Sequence, residues 1–141
     1  MSIVMVMRQL IRKGMKWIRS KGKYKEYEWK EGEKNKAIVL RAYGDPKMLE
    51  EITFEYKSAS GARIFERYTL HKVHENAYTV QWVAYEDGKE VASQKAVAFD
   101  VPWYFDASKL EKNVKEYGVR DTCTAIVMHF VHLALRTAWL F

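Results

Sequence analysis

Cysteine, proline and glycine are scarce in this sequence of 141 residues, which has one cysteine, two prolines and seven glycines. Because Cys123 is the only cysteine, no disulfide can form within the chain, and the reducing cytoplasm is the expected location. No tract rich in proline, glycine or serine divides the chain, and it contains no internal repeat. We therefore expect one domain over residues 1–141.

Sequence motifs for catalysis are also missing: there is no phosphate-binding loop, dinucleotide fingerprint or ordered Ser-His-Asp set. Cys123 has no local signature of a base, which predicts a buried small hydrophobic residue and not a nucleophile. His129 and His132 have a helical spacing that can share a metal, but no third ligand accompanies them. The sequence therefore indicates no catalytic residue, no cofactor and no metal, and it favours a protein that is not an enzyme.

Acidic residues are absent from the first 25 positions, which hold all of the excess positive charge. The eight cations there are Arg8, Arg12, Lys13, Lys16, Arg19, Lys21, Lys23 and Lys25. The other 116 residues carry 16 basic and 18 acidic side chains, so +8 and −2 give the net charge of +6. Such asymmetry predicts a polyanionic partner, either nucleic acid or an anionic membrane surface.

An amphipathic helix is predicted over residues 3–20, with apolar and basic side chains on opposite halves of its circumference. The apolar half consists of Ile3, Val4, Val6, Met7, Leu10, Ile11, Met15, Trp17 and Ile18. We expect this half to pack on the sheet of the same protein, with the basic half in water. A helix lying in a membrane interface, with Trp17 near the headgroups, is the alternative.

The apolar period changes to near two between residues 24 and 100, which predicts an antiparallel sheet of four to six strands in meander order. The runs that suggest strands are 24–30, 37–43, 52–57, 63–73, 78–86 and 90–99. A short helical turn through Met48 and Leu49 is expected after Asp45 and Pro46. The pair Asp87-Gly88 predicts a type I′ hairpin turn.

Two helices are predicted at the end of the chain, over residues 106–117 and 121–141. Asp106 can cap the first helix, and Gly118 can end it. His129, His132 and Arg136 form a polar stripe on the second helix that would be costly in lipid. We therefore expect this helix to be buried in a domain or an oligomer, with the stripe facing water or a cleft. The predicted fold class is α+β, with the N-terminal and C-terminal helices on one face of the sheet.

Strand alternation leaves a second surface on the sheet, opposite to the helices. The residues expected to face the helices are Ile52, Phe54, Tyr56, Tyr78, Val80 and Trp82. The second surface then carries Lys57, Phe65, Arg67, His71, Gln81, Tyr85 and Lys95. Single-stranded nucleic-acid binders combine cations with rings in this way, although cross-strand stability alone also explains it. The aromatic run Trp103-Tyr104-Phe105 is expected to plug the core, and a stacking platform is the alternative.

The leading hypothesis is a nucleic-acid-binding protein that contacts the backbone, selects weakly for sequence and favours single strands of DNA or RNA. The predicted phosphate contacts are Arg8, Arg12, Lys16 and Arg19, with Arg67, Tyr85 and Lys95 as further candidates. One alternative is a structural or assembly subunit of a virus or nucleoprotein particle. Another is a small-ligand-binding module or enzyme with a pocket between sheet and helices.

Two further expectations concern assembly and origin. The last helix is apolar on most of its circumference and ends in Trp139-Leu140-Phe141, which predicts at least a homodimer. The excess of Lys and Glu over Asn and Gln is typical of thermophile proteins, and a viral or archaeal source is one interpretation of it.

Overall fold

The computed structural model of the protein describes residues 24–138. The helix predicted over residues 3–20 lies outside the described residues, and so does the terminal run Trp139-Leu140-Phe141. The fold and the distances given below refer to the described part of the chain.

Six strands form a single antiparallel sheet in which each strand pairs with the next in sequence, and this confirms the predicted meander. The strands are β1 Lys25–Glu31, β2 Ile38–Asp45, β3 Met48–Lys57, β4 Arg63–His74, β5 Ala77–Glu86 and β6 Lys89–Ala98. Asp87 and Gly88 join β5 to β6 with φ angles of 49° and 85°. Positive φ at both positions is the requirement of the predicted type I′ turn.

The helical turn predicted through Met48 and Leu49 is wrong, because both residues belong to β3. Asp45 pairs directly with Met48, so Pro46 and Lys47 form a tight turn between β2 and β3. The Asp45 carboxylate accepts the backbone N–H of Lys47 at 2.9 Å. An aspartate followed by proline can start either a helix or a turn, and here strand pairing decides in favour of the turn.

Two helices follow the sheet, α1 (Ala107–Tyr117) and α2 (Val119–Ala138), after a 3-10 turn over Trp103–Phe105. Asp106 caps α1 as predicted, because its Oδ1 accepts the N–H groups of Ser108 and Lys109 at 3.0 and 3.2 Å. No helix within residues 24–138 combines the length and the apolar character needed to cross a membrane.

The core lies between the helices and one face of the sheet. Phe130 of α2 is central to it, with its ring 5.6 Å from that of Tyr68 and 6.2 Å from that of Trp82. Tyr104 and Phe105 are fully buried, which confirms the predicted plug. Cys123 also belongs to the core, as predicted, and burial raises the pKa of its thiol to about 12.

Glu31, at the end of β1, caps helix α2 from a distant part of the sequence. Its two carboxylate oxygens accept the backbone N–H groups of Val119 at 3.2 Å and of Arg120 at 3.3 Å. A carboxylate at this position also complements the helix dipole. This long-range cap explains why α2 begins at Val119, two residues before the expected start at Asp121.

Replacement of Glu31 by alanine is expected to lower the free energy of unfolding by about 1 kcal/mol, the usual cost of a lost N-cap. The urea midpoint measures this loss. The matched control is Glu33→Ala, because Glu33 is exposed in the next loop and its side chain makes no ion pair or hydrogen bond with residues 24–138. Equal midpoints for the two variants would contradict the assigned cap.

Candidate nucleic-acid interface

The strand register gives the sheet two faces of different composition. The face toward the helices carries Ile52, Phe54, Tyr56, Tyr78, Val80 and Trp82, as the alternation indicates. The opposite face, called the second face below, carries the row Thr53, Arg67, Val83 and Ser93 across β3 to β6. Gln81 and Lys95 pair in the adjacent row of the same face.

Arg67 and Tyr85 lie together on the second face. The Arg67 Nη2 donates to the Tyr85 hydroxyl at 3.0 Å, and the guanidinium carbon lies 5.6 Å from the centroid of the Tyr85 ring. On its other side, Arg67 Nε lies 3.8 Å from a carboxylate oxygen of Glu51. Only 11% of the Arg67 side chain is exposed, so this arginine mainly orients Tyr85 and has little surface left for a phosphate.

Lys95 is separated from this pair. It is an exposed residue of the edge strand β6 and pairs with Gln81, four residues before Tyr85 on β5. Four residues of strand correspond to roughly 13 Å. The structure therefore brings two of the three predicted sheet residues together and leaves Lys95 at another part of the same face.

Phe65 and Tyr85 form the aromatic part of the site. They pair directly across β4 and β5, with ring centroids 5.9 Å apart and an interplanar angle of 59°. Both side chains are half-buried, and they line a depression of about 660 Å³. We call it the aromatic depression; its other lining residues include Glu55, Ile64, Arg63, Arg67, Asp87 and Gly88. A partly exposed ring at such a place can stack on a base.

A second depression of about 380 Å³ adjoins the first and shares Glu55 and Arg63 with it. We call it the lysine groove, because Lys30, Lys34 and Lys57 line it. The antiparallel order brings the β1–β2 and β3–β4 loops to the same end of the sheet, and this places the three lysines together. Of these lysines, only Lys57 belongs to the surface predicted from the sequence, because Lys30 and Lys34 are distant from it in the chain.

Ion pairs within β1 and between neighbouring strands neutralise the acids beside the groove. The chain of contacts runs from Lys30 to Glu28 (3.1 Å), Glu28 to Arg41 (3.2 Å), Arg41 to Glu55 (2.9 Å) and Glu55 to Arg63 (3.3 Å). The hydrogen bond from Arg41 holds the pKa of Glu55 below its usual value, and the hydrogen bond from Lys30 does the same for the pKa of Glu28. Both carboxylates are therefore ionised and paired at neutral pH.

Lys34 and Lys57 differ from Lys30, because neither forms an ion pair with residues 24–138. Both are exposed. These two ammonium groups can therefore meet an anion without first breaking a contact inside the described part of the protein. Together with the adjoining rings, they make this end of the sheet chemically suited to a nucleotide chain.

A different polar cluster lies between the sheet and α2. The Tyr104 hydroxyl is 3.1 Å from His129 Nδ1, beside a cleft of about 250 Å³ that is also lined by Trp103 and Arg136. Burial, with a smaller contribution from His132, lowers the pKa of His129 and favours its neutral imidazole. Residues 24–138 include no group of three His, Cys, Asp or Glu side chains that could hold a metal ion.

The predicted phosphate contacts Arg8, Arg12, Lys16 and Arg19 lie outside the described residues. Compared with protein-family models, with curated proteins and with solved structures, the chain matches none of them. Its function is therefore inferred from the chemistry of its own surfaces, because a fold class alone does not specify an activity.

Proposed function

We propose that the protein binds single-stranded nucleic acid, mainly through the sugar–phosphate backbone and with weak sequence selectivity. The observation that carries this proposal is the continuity of the lysine groove with the aromatic depression, which meet at Glu55 and Arg63. Cations that follow phosphates and rings that stack on bases are the two components of non-specific single-strand recognition. A duplex hides its base faces, so it could use only the cations.

The N-terminal segment supports the same proposal through its charge. It supplies Arg8, Arg12, Lys16 and Arg19 on the basic half of a predicted helix, in a stretch without any acid. Contacts of this kind add affinity for DNA and RNA alike and carry no sequence information. The lone Cys123, buried as a thiol, fits our proposal that the protein works in the reducing cytoplasm.

Each candidate residue of the sheet and its loops has a proposed role in this interface. Lys34 and Lys57 neutralise phosphates, Phe65 stacks on a base, and Tyr85 does the same in an orientation that Arg67 fixes. Lys95 contacts the backbone of a strand that continues across β5 toward the edge of the sheet. The expected ligand is therefore longer than one nucleotide.

The proposal is tested by fluorescence anisotropy with labelled single-stranded DNA, single-stranded RNA and duplex DNA at two salt concentrations. The variant Lys34→Ala/Lys57→Ala should reduce the log–log salt slope by about 1.4, because each lost phosphate contact on a single strand contributes about 0.7. The matched control, Lys109→Ala/Lys112→Ala, removes two exposed lysines of α1 and should leave the slope unchanged. Equal slopes for the two double variants would contradict the assigned interface.

The assembly hypothesis is favoured by a separate observation on α2. Met128, Val131 and Leu135 form an apolar stripe at helical spacing, and they are 63%, 45% and 61% exposed. We propose that two copies pair through this stripe with their α2 helices antiparallel. That arrangement places Met128 of one copy opposite Leu135 of the other, so apolar side chains meet apolar side chains.

Introduction of a charge on this stripe should disrupt the pairing. We expect the parent protein to have the mass of a dimer by light scattering at tens of micromolar, and Met128→Glu/Leu135→Glu to have the mass of a monomer with unchanged circular dichroism. Lys112→Glu, on the exposed surface of α1, is the control and should remain dimeric. A monomeric parent protein would exclude the assembly proposal.

A further inference from the structure

The centre of the second face is buried, although this face lies opposite to both helices. Tyr43 is 2% exposed, Glu51 0% and Thr53 1%. The three residues are neighbours on β2 and β3, since Tyr43 pairs with Glu51 and Thr53 pairs with Arg41. Farther along the face, Thr69 of β4 and Val83 of β5 are also buried.

A sheet face that meets water does not bury its side chains to this degree. Neighbouring side chains cover the flanks of a residue, but its outer end stays in contact with solvent, and such faces are usually polar and solvated. Within residues 24–138, the two helices and the 3-10 turn direct their apolar side chains into the core on the other face. The burial of Glu51 and its neighbours therefore indicates an additional covering element.

We propose that residues 3–19 form this cover, as a helix lying across the centre of the second face. The sequence alone predicts this helix on the other face of the sheet, beside the C-terminal helices. Leu110, Ile126 and Phe130 already occupy the face toward the helices, so the second face is the one left for an apolar helix. The docking does not depend on whether the protein binds nucleic acid.

The dimensions of the segment fit this position. A helix of residues 3–19 is roughly 25 Å long at 1.5 Å per residue. Six strands spaced roughly 4.8 Å apart give a sheet about 24 Å wide. Tyr24 leads directly into β1, which is an edge strand, so the intervening residues 20–23 need only turn the chain back over the sheet.

The charges of the N-terminal segment also suit a position on the second face. Glu51 is a fully buried carboxylate on this face, with Arg67 Nε at 3.8 Å. Buried carboxylates require cations or hydrogen-bond donors nearby, and another acid beside them is costly. The N-terminal segment has no acid and several cations at the borders of its apolar half, so it can cover Glu51 without repulsion.

This position links the two parts of the proposed interface. The buried residues lie at the centre of the second face, whereas Phe65 and Tyr85 lie at one end of it and remain half-exposed. A helix that buries its apolar half on the centre turns Arg8, Arg12 and Lys16 outward. Its basic half and the aromatic depression then belong to one continuous surface.

Disulfide trapping in the full-length chain tests the docking without disrupting it. With Thr53→Cys in place, a second cysteine is introduced at Met7, Ile11 or Ile18 in three separate variants. At least one variant should form an intramolecular disulfide with position 53 under mild oxidation, identified by peptide mass spectrometry. Matched variants with the second cysteine at Arg12 or Lys16, on the basic half, should not form this disulfide. A bond between two chains would mean that a second copy covers the face, and the absence of any bond would also overturn the proposal.

Thiol labelling provides an independent measurement. The thiol of Thr53→Cys should react with iodoacetamide at least 100-fold more slowly than that of Ser93→Cys, which lies in the same row of the face but is exposed. Leu10→Asp should abolish this protection at position 53 while the native Cys123, on the other face, stays protected. Similar rates at positions 53 and 93 in the parent background would exclude a cover. Loss of protection at Cys123 would indicate that Leu10→Asp unfolds the protein. Disulfide trapping, which does not use this substitution, then tests whether the helix covers the second face.

Discussion

Replacement of Arg8, Arg12, Lys16 and Arg19 together by alanine is expected to remove most of the salt dependence of nucleic-acid binding. Each phosphate contact on a single strand contributes about −0.7 to the slope of log affinity against log salt, so four contacts contribute about −3. A slope of that size corresponds to about a 60-fold loss of affinity for a fourfold rise in salt. Anisotropy titrations of the parent and the quadruple variant at several salt concentrations measure the difference.

The same four substitutions should leave the fold intact. Surface substitutions of this kind usually change the stability by less than about 0.5 kcal/mol, so the melting temperature should be nearly unchanged. Titration with anionic liposomes is the control for a membrane-surface helix, which would lose lipid binding through the same charges. A quadruple variant that binds DNA and RNA as tightly as the parent, with the same salt slope, would show that the N-terminal cations do not contact nucleic acid.

Phe65→Ala is expected to weaken single-strand binding by about 5- to 150-fold, because base–aromatic stacking is worth about 1–3 kcal/mol per base. The salt slope should stay the same, since no charge is removed. This combination separates stacking from electrostatic attraction, which the quadruple variant tests. Phe65→Trp should retain most of the affinity, because it keeps an aromatic surface at the same position.

The control for this substitution is Phe99→Ala. Phe99 follows β6 and is 57% exposed, and it lines the cleft beside His129 instead of the aromatic depression. We expect this variant to bind single strands like the parent protein. Equal losses of affinity for Phe65→Ala and Phe99→Ala would contradict a specific stacking role of Phe65.

The sheet was the most predictable part of the fold, because its signals are local. Alternation of apolar and polar residues at period two indicated all six strands, and Asp87-Gly88 indicated the last hairpin turn. The start of α2 was not predictable in this way. Its cap is Glu31, 88 residues before Val119, and no pattern within the helix itself contains that contact.

The candidate site was predictable in composition but not in arrangement. Alternation placed Arg67, Tyr85 and Phe65 on one face, and the register agrees. The near-complete burial of Arg67 depends on its neighbours Glu51 and Tyr85, which come from other strands. The lysine groove depends on two loops meeting at one end of the sheet, and this adjacency exists only after the strands have paired.

Photo-cross-linking tests the proposed interface most directly. A single-stranded oligonucleotide with 5-iodouracil at successive positions is irradiated with the full-length protein, and the attached peptides are identified by mass spectrometry. We expect cross-links at Phe65 and Tyr85, together with peptides from residues 3–19, and competition by unlabelled single strands of unrelated sequence. Cross-links confined to α1 and α2, or no cross-link above the level of an unrelated control protein, would contradict the proposed function.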